Sequence, residues 1–256
     1  MQAMSNCPQC GAEVEVGNRF CGQCGQPLGD GESLPKVSAA DNVHAQLVRI
    51  HGGGVDGERF SIDSKRKTIG RVDADICFSD DSFISPLHAS IQFESGKLVI
   101  RDENSRNGVY KRLRGSAMLR YGESFMAGEQ LLRVEDRGPD SYSYDAEGTQ
   151  FFGSAPRTHP YCVRQMLEGG QDGMLARPMR KVLLIGREHC DLEFPHDRFI
   201  SGKHCKLEFE VGGVQLTDLD SRNGTYLRVP GETELCEGDF VFVGRQLLRV
   251  EMQPKS

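Results

Sequence analysis

The feature that most limits what this chain can fold into is an internal repeat at a fixed offset. The tetrapeptide "SRNG" occupies 105–108 and again 221–224, an offset of 116. The same shift lays "TIGR" at 68–71 on "LIGR" at 184–187, "DDSFISPLH" at 80–88 on "HDRFISGKH" at 196–204, and "LLRVE" at 131–135 on "LLRVE" at 247–251. No gap is needed between Ile69/Ile185 and Glu135/Glu251. Repeats of this length, present as a pair, indicate tandem domains and not a solenoid. The expected divisions are 44–136 and 160–252 for the two copies, with a Pro/Gly/Ser-rich connector at 137–159. A head at 1–30 and a linker at 31–43 precede them.

Each copy is predicted to be all-β. In "HASIQFE" the apolar Ala89, Ile91 and Phe93 alternate with Ser90, Gln92 and Glu94, and in "CKLEFEV" Cys205, Leu207, Phe209 and Val211 alternate with charged residues. Side chains on a strand point alternately to its two faces, so period two marks half-buried antiparallel strands. Runs such as "DFVFVG" fit strands buried on both faces. About ninety residues of short strands with Gly- or Asp-containing turns favour a β-sandwich, and no stretch shows helical period with caps.

The head reads "CPQCGAEVEVGNRFCGQCG" over 7–25. Two C-x2-C pairs separated by ten residues supply four thiolates, which suit tetrahedral zinc. Gly11 and Gly25 follow the pairs and allow the sharp turn that aims backbone N–H groups at sulfur. The segment resembles a short zinc ribbon with Cys7, Cys10, Cys21 and Cys24 as ligands. So short a piece buries too little apolar surface to fold alone, so metal binding is expected to supply its folding energy. With four thiolates and no open position, the expected Zn2+ is structural. The chain holds nine cysteines, an odd number, and starts without a basic-then-apolar segment; both features argue against a disulfide framework and for a cytoplasmic protein. No apolar run is long enough to span a membrane. A net charge of −6 disfavours sequence-blind binding to nucleic acid, which depends on neutralising phosphates.

Gly-Arg, then Ser-x-x-His, then Ser-x-Asn-Gly, in order and twice within β-rich domains of this size, resembles the forkhead-associated (FHA) domain. The residues are Gly70-Arg71, Ser85 to His88 and Ser105 to Gly108 in copy one, and Gly186-Arg187, Ser201 to His204 and Ser221 to Gly224 in copy two. The resemblance implies tandem β-sandwiches that bind phosphothreonine peptides with loops at one end. A phosphothreonine carries roughly −1.5 to −2 charges and three acceptor oxygens. Arg71 and Arg187 are suited to meet it with charge-assisted bonds, and Ser85 and Ser201 to donate a hydroxyl hydrogen. The resemblance gives Asn107 and Asn223 the task of gripping the peptide backbone, and gives His88 and His204 that of bracing the loops. Gly108 and Gly224 permit the turn that presents the Asn. Where the family often has Arg or Asn after the Ser, this chain has Pro86 or Gly202. Arg106 and Arg222, before the Asn, are the candidates to replace that phosphate contact. Copy two keeps the family's Thr225 where copy one has Val109.

Other patterns dissolve on inspection. "GGGVDG" at 52–57 has dinucleotide-loop spacing, but "ERFSID" follows as a strand, so a hairpin loop is expected. His189-Cys190 and His204-Cys205 align with small residues, Ala74 and Ala89, at the cysteine positions, which favours packing over a second metal site. The reading that follows is a non-enzymatic signalling adaptor for phosphothreonine proteins marked by a Ser/Thr kinase. Thr149, in "DAEGTQFF", is a candidate phosphorylation site through which the protein would bind itself. Two alternatives remain: a phosphate-independent assembly scaffold, and a regulator whose ribbon contacts nucleic acid.

Overall fold

The computed structural model describes residues 4–15, 21, 23, 43–63, 65–136, 144–154, 161–178, 180–210 and 212–254. In the head, β1 (Met4–Asn6) pairs antiparallel with β2 (Glu13–Glu15). Copy one contributes β3 (Val43–His51), β4 (Val55–Ile62), β5 (Lys67–Gly70), β6 (Ile76–Cys77), β7 (Ala89–Glu94), β8 (Lys97–Asp102), β9 (Val109–Arg112), β10 (Ser116–Leu119), β11 (Ser124–Ala127) and β12 (Gln130–Asp136). Copy two repeats the series as β13 (Tyr161–Met166), β14 (Asp172–Ala176), β15 (Val182–Gly186), β16 (Leu192–Glu193), β17 (Cys205–Glu210), β18 (Gly213–Asp218), β19 (Thr225–Arg228), β20 (Glu232–Leu235), β21 (Phe240–Val243) and β22 (Gln246–Pro254). A 3-10 turn at Glu168–Gly170 is the one helical element among the described residues. The glycine-rich 52–54 forms the β3–β4 hairpin turn, as the sequence indicated, and no nucleotide-binding helix follows it.

The two sequence copies are not the two compact units. One unit comprises Met1–Arg112 with Tyr226–Ser256, and the other Leu113–Thr225. Unit one stacks the sheet β20-β8-β7-β5-β6 against β19-β9-β21-β22-β3-β4. Unit two has β10-β18-β17-β15-β16 and β14-β13-β12-β11. Each unit is therefore built on its own copy's earlier strands and completed by late strands of the other copy: β19 to β22 of copy two in unit one, β10 to β12 of copy one in unit two. The expected all-β sandwich holds, while pairing crosses the boundaries drawn at 136 and 160: β12 pairs with β13, and β22 with β3.

Period two places the core. In unit one, Leu47, Ile69, Ile91 and Ile100 pack in one buried cluster with Leu235, Val241, Leu248 and Val250 from the far end of the chain. Burying each such side chain contributes about 1.5–3 kcal/mol, so the C-terminal strands are integral to this unit. In unit two, Phe125, Leu132 and Val134 are buried, as are Leu183, Ile185 and Leu207.

Cross-strand charge complements this partner exchange in unit one. In unit one Glu232 on β20 lies opposite Arg101 on β8, 2.5 Å from its guanidinium. Glu234 takes Lys97 at 2.7 Å. In unit two the equivalent β10 sets Ser116 and Met118 opposite Thr217 and Gln215 on β18. Each copy keeping its own β10 or β20 would leave Arg101 and Lys97 facing Ser116 and Met118. Exposed pairs are each worth little, but opposite charges across a ladder favour one pairing over its rival.

Candidate functional site

Three loops meet at one end of each sandwich. In unit one the first follows β5. An added Cβ on Gly70 would sit 2.0 Å from the Pro86 carbonyl oxygen, so only glycine permits the approach. Next to it, the Arg71 N–H donates to the Ser85 and Pro86 carbonyls at 3.1 and 3.2 Å. In unit two Gly186 is pressed equally close to Gly202, at 2.1 Å, and the Arg187 N–H donates to Ser201 and Gly202 at 2.9 and 3.0 Å. Arg71 is half-buried and its Nε donates to the Ile84 carbonyl at 3.1 Å. Arg187 is exposed.

The second and third loops are joined by the serine. The Ser85 Oγ accepts the Arg106 N–H at 3.1 Å, and Ser201 Oγ accepts that of Arg222 at 3.0 Å. An oxygen used as acceptor keeps its own hydrogen to donate elsewhere. The side chains of Arg106 and Arg222 are exposed, as are those of Asn107 and, in part, Asn223. Asn107 Nδ2 donates to the Phe83 carbonyl and Asn223 Nδ2 to that of Phe199, both at 2.7 Å. Arginine, serine, arginine and asparagine of each copy are thus brought to one loop cluster.

The histidines lie beneath. His88 is fully buried. Its Nδ1 accepts the Ser85 N–H at 3.0 Å and its Nε2 lies 3.1 Å from the Gly108 carbonyl. A carbonyl only accepts, so the proton sits on Nε2 and the ring is neutral. Burial holds its pKa below the ordinary histidine value, against the pull of the Gly108 carbonyl and of Asp102 and Asp81. His204 repeats both bonds with Ser201 and Gly224, at 3.0 and 3.1 Å. Gly108 and Gly224 both have φ of 82°, in the left-handed region open to glycine.

Sequence reasoning missed the acids that hold these loops. Asp102 Oδ1 accepts both the hydroxyl and the N–H of Ser105, at 2.5 and 3.2 Å, and Ser105 Oγ in turn accepts the Gly108 N–H at 2.9 Å. In copy two Asp218 accepts the Ser221 hydroxyl on Oδ1 and its N–H on Oδ2, Ser221 Oγ accepts the Gly224 N–H, and Thr225 adds a hydroxyl bond to Asp218 Oδ1 at 2.6 Å. Copy one has Val109 there. Asp81 and Asp197 are also buried. Asp81 ties the Phe83 N–H, at 3.0 Å, to the β21–β22 turn through the Arg245 N–H at 2.8 Å and Gln246 Nε2 at 2.7 Å. Asp197 ties Phe199 to the β11–β12 turn through Glu129 and Gln130, both at 2.8 Å. The signal was available: each of these acids recurs at the repeat offset.

In the head, the sulfurs of Cys7, Cys10 and Cys21 lie within 4.8 Å of one another. The Cys10 and Cys21 sulfurs are 3.6 Å apart, and the Gln23 N–H points to Cys21 Sγ at 3.4 Å. Gly11 has φ of 71° and its N–H bonds the Cys7 carbonyl. Three convergent thiols with an N–H donor fit a thiophilic metal. Cys24, the expected fourth ligand, lies outside the described residues. Cys205 is fully buried in β17 and burial pushes its thiol pKa far up, as befits a packing residue.

The FHA domain family model matches 67–126 and 183–244, and the zinc-ribbon domain model matches 6–28. No curated protein matches the chain. Among solved structures, the FHA domain of the CT664 protein from Chlamydia trachomatis is 13% identical, with 81% of this chain and 96% of that one covered and a TM-score of 0.34. A structure from a study of phosphothreonine-dependent FHA domain interactions is 21% identical over 52% of this chain and 98% of that one, with a TM-score of 0.18. Mycobacterium tuberculosis EmbR in complex with a low-affinity phosphopeptide is 18% identical over 36% and 27%, with a TM-score of 0.20. With two matched domains and a matched ribbon, the chain is a tandem FHA-domain protein with an N-terminal zinc ribbon.

Proposed function

We propose that the protein is a non-enzymatic cytoplasmic adaptor that binds phosphothreonine proteins at two sites, downstream of a Ser/Thr kinase. The observation that carries this reading is the serine. Ser85 and Ser201 use their oxygen to accept a backbone N–H of the Asn loop, which leaves the hydroxyl hydrogen to donate to phosphate beside Arg71 or Arg187. Asn107 and Asn223 sit at the edge of the same cluster and take the peptide backbone. Arg106 and Arg222 supply further charge where Pro86 and Gly202 offer none. His88, His204, Gly70, Gly108, Gly186 and Gly224 hold the loops and do not touch ligand. The Cys7, Cys10, Cys21 and Cys24 thiolates hold a structural zinc. Among the described residues no helix is long and apolar enough to cross a membrane.

Hydrogen bonds to charged groups contribute roughly 1.5–3 kcal/mol each. Losing two or three with the phosphate costs about 3–9 kcal/mol, a hundredfold or more in affinity. Titration calorimetry with phosphothreonine peptides tests this on wild type, Arg71→Ala, Arg187→Ala and the double variant. We expect each single change to remove one site and the double change both. Binding that ignores phosphate would overturn the reading and leave the scaffold alternative.

Self-association through Thr149 is part of the proposal. Asp145 Oδ1 accepts the Thr149 N–H at 2.7 Å in a turn closed by the Tyr144–Gln150 bridge. Thr149 is exposed, and Phe151 and Phe152 after it are 80% and 96% exposed. A kinase can reach such a threonine, and a sandwich of a second molecule can read it. Mass spectrometry of kinase-treated protein that finds Thr149 unmodified would remove this element.

A further inference from the structure

The strand exchange decides which side chain borders each candidate site. The β21–β22 turn, from copy two, sits on the loop of site one, held by Asp81. The β11–β12 turn, from copy one, sits on the loop of site two, held by Asp197 in the same way. Residues 129 and 245 are equivalent by the repeat, yet one is Glu and the other Arg. Site one receives Arg245, whose guanidinium lies 4.0 Å from the centroid of Phe83. Site two receives Glu129, from the same backbone position, and Phe199, the counterpart of Phe83, remains 50% exposed. The carbonyls of these two phenylalanines hold the side chains of Asn107 and Asn223. The backbone of each phenylalanine therefore lies at the peptide-gripping edge.

An aromatic face next to a carboxylate is a seat for a cation. In site one the protein fills that seat with its own arginine. In site two the equivalent turn position carries an exposed Glu129, and Phe199 is half exposed. We propose that Glu129 and Phe199 make site two select phosphopeptides with an Arg or Lys flanking the phosphothreonine, and that Arg245 removes this preference from site one and favours an acidic neighbour there. Arg198 and Lys203 lie on the site-two loop, and Asp80 on that of site one; these charges act against the preference in each case. The test therefore changes only 129, 199 and 245. The inference rests on the reading of both clusters as phosphothreonine sites.

The experiment uses the full chain with one site silenced by Arg71→Ala or Arg187→Ala. Phosphothreonine peptides that carry Arg, Ala or Glu scanned through the neighbouring positions are titrated at low and moderate salt. With site two alone, the best Arg peptide should bind about threefold to tenfold tighter than its Glu twin, the range expected of an exposed cation–π contact and ion pair. Added salt should reduce the ratio. Glu129→Gln and Phe199→Ala should each shrink it while phosphate dependence stays. With site one alone the ratio should fall below one, and Arg245→Glu should raise it above one. A site-two ratio unchanged by Glu129→Gln overturns the inference. So does an effect of Glu129 on site one, or of Arg245 on site two, since the turns would then serve the opposite sites. Absence of phosphothreonine binding in wild type would instead overturn the reading beneath it.

Discussion

Apart from the β9–β19 pair, which lies in unit one, the two sandwiches follow one strand plan, yet the edge strand each receives from the other copy is of a different kind. Unit one receives the acidic β20, whose Glu232 and Glu234 meet Arg101 and Lys97. Unit two receives the uncharged β10, whose Ser116 and Met118 lie opposite Thr217 and Gln215. The loops repeat the rule. The loop with Asp80 is given Arg245, and the loop with Arg198 is given Glu129. Two copies of a domain joined in one chain face a choice between self-completion and exchange. Here opposite charges pair across the edge strand of unit one, while the hydrophobic pattern is shared by both.

The largest expected effects come from the two turn glycines, because they test the crossing directly. Gly244 has φ of 59°, and a Cβ there would lie 2.3 Å from Ile84 Cγ1. Gly128 has φ of 61°, and a Cβ would lie 2.8 Å from the Ile200 backbone nitrogen. Left-handed strain and overlap together should cost about 2–4 kcal/mol. We expect Gly244→Ala to weaken peptide binding at the Arg71 site and Gly128→Ala at the Arg187 site. Calorimetry in the single-site backgrounds reads this. The opposite assignment would mean that each copy keeps its own hairpin.

Next in size is the edge-strand charge. Glu232→Lys with Glu234→Lys sets like charges against Arg101 and Lys97 and should destabilise unit one by about 1–2 kcal/mol. Ser116→Lys with Met118→Lys, facing neutral partners, should change stability by roughly 0.5 kcal/mol or less. Thermal unfolding followed by calorimetry measures both. Equal effects would remove charge as the reason for the exchange.

The sandwich class and the loop motif were legible in the sequence because both are local. Period two in "HASIQFE" marks β7 as a half-buried strand, and the ordered Gly-Arg, Ser-x-x-His and Ser-x-Asn-Gly strings mark the loops. The strand partners were not legible. Copy one's "LLRVE" and copy two's "LLRVE" are the same string, so β12 and β22 carry no pattern that says which of β3 and β13 to pair. What distinguishes the two solutions lies in cross-strand residues far apart in sequence, such as Arg101 with Glu232, and these mean nothing until the register is known. The bracing acids Asp81, Asp102, Asp197 and Asp218 recur at the repeat offset, but their role was not legible, for a related reason. Each resembles a solvated loop charge until the N–H groups it collects are placed around it.

A smaller difference separates the Asn turns. Asp218 Oδ1 collects hydroxyl bonds from Ser221 and Thr225, both at 2.6 Å, whereas copy one offers Val109 in place of the second. Thr225→Val should cost site two about 1 kcal/mol, the usual net worth of one hydrogen bond. Val109→Thr should gain less in site one, because its hydroxyl must first be desolvated at a buried position. Amide exchange of Gly224 and Gly108 reports the two turns. If Thr225→Val leaves Gly224 protection unchanged, the hydroxyl is not what distinguishes them.

The gentlest probe is pH, and its sign follows from the His88 ring. Burial lowers the folded pKa of His88 below its unfolded value of about 6.5. Between the two values the unfolded chain binds a proton that the folded one refuses, so the stability of unit one should fall as pH drops below about 6.5 and level off once the folded value is passed. The structural reason is that Nδ1 accepts the Ser85 N–H while Nε2 donates to the Gly108 carbonyl. A second proton must displace the first of these bonds, and the first bond holds the serine proposed to bind phosphate. Acidification should therefore loosen the Ser85 loop before it unfolds the sandwich. An NMR titration of the His88 ring alongside the Ser85 amide checks this order. A ring that titrates at or above the ordinary histidine value, with the Ser85 amide unmoved, would show that the buried bond does not hold the loop.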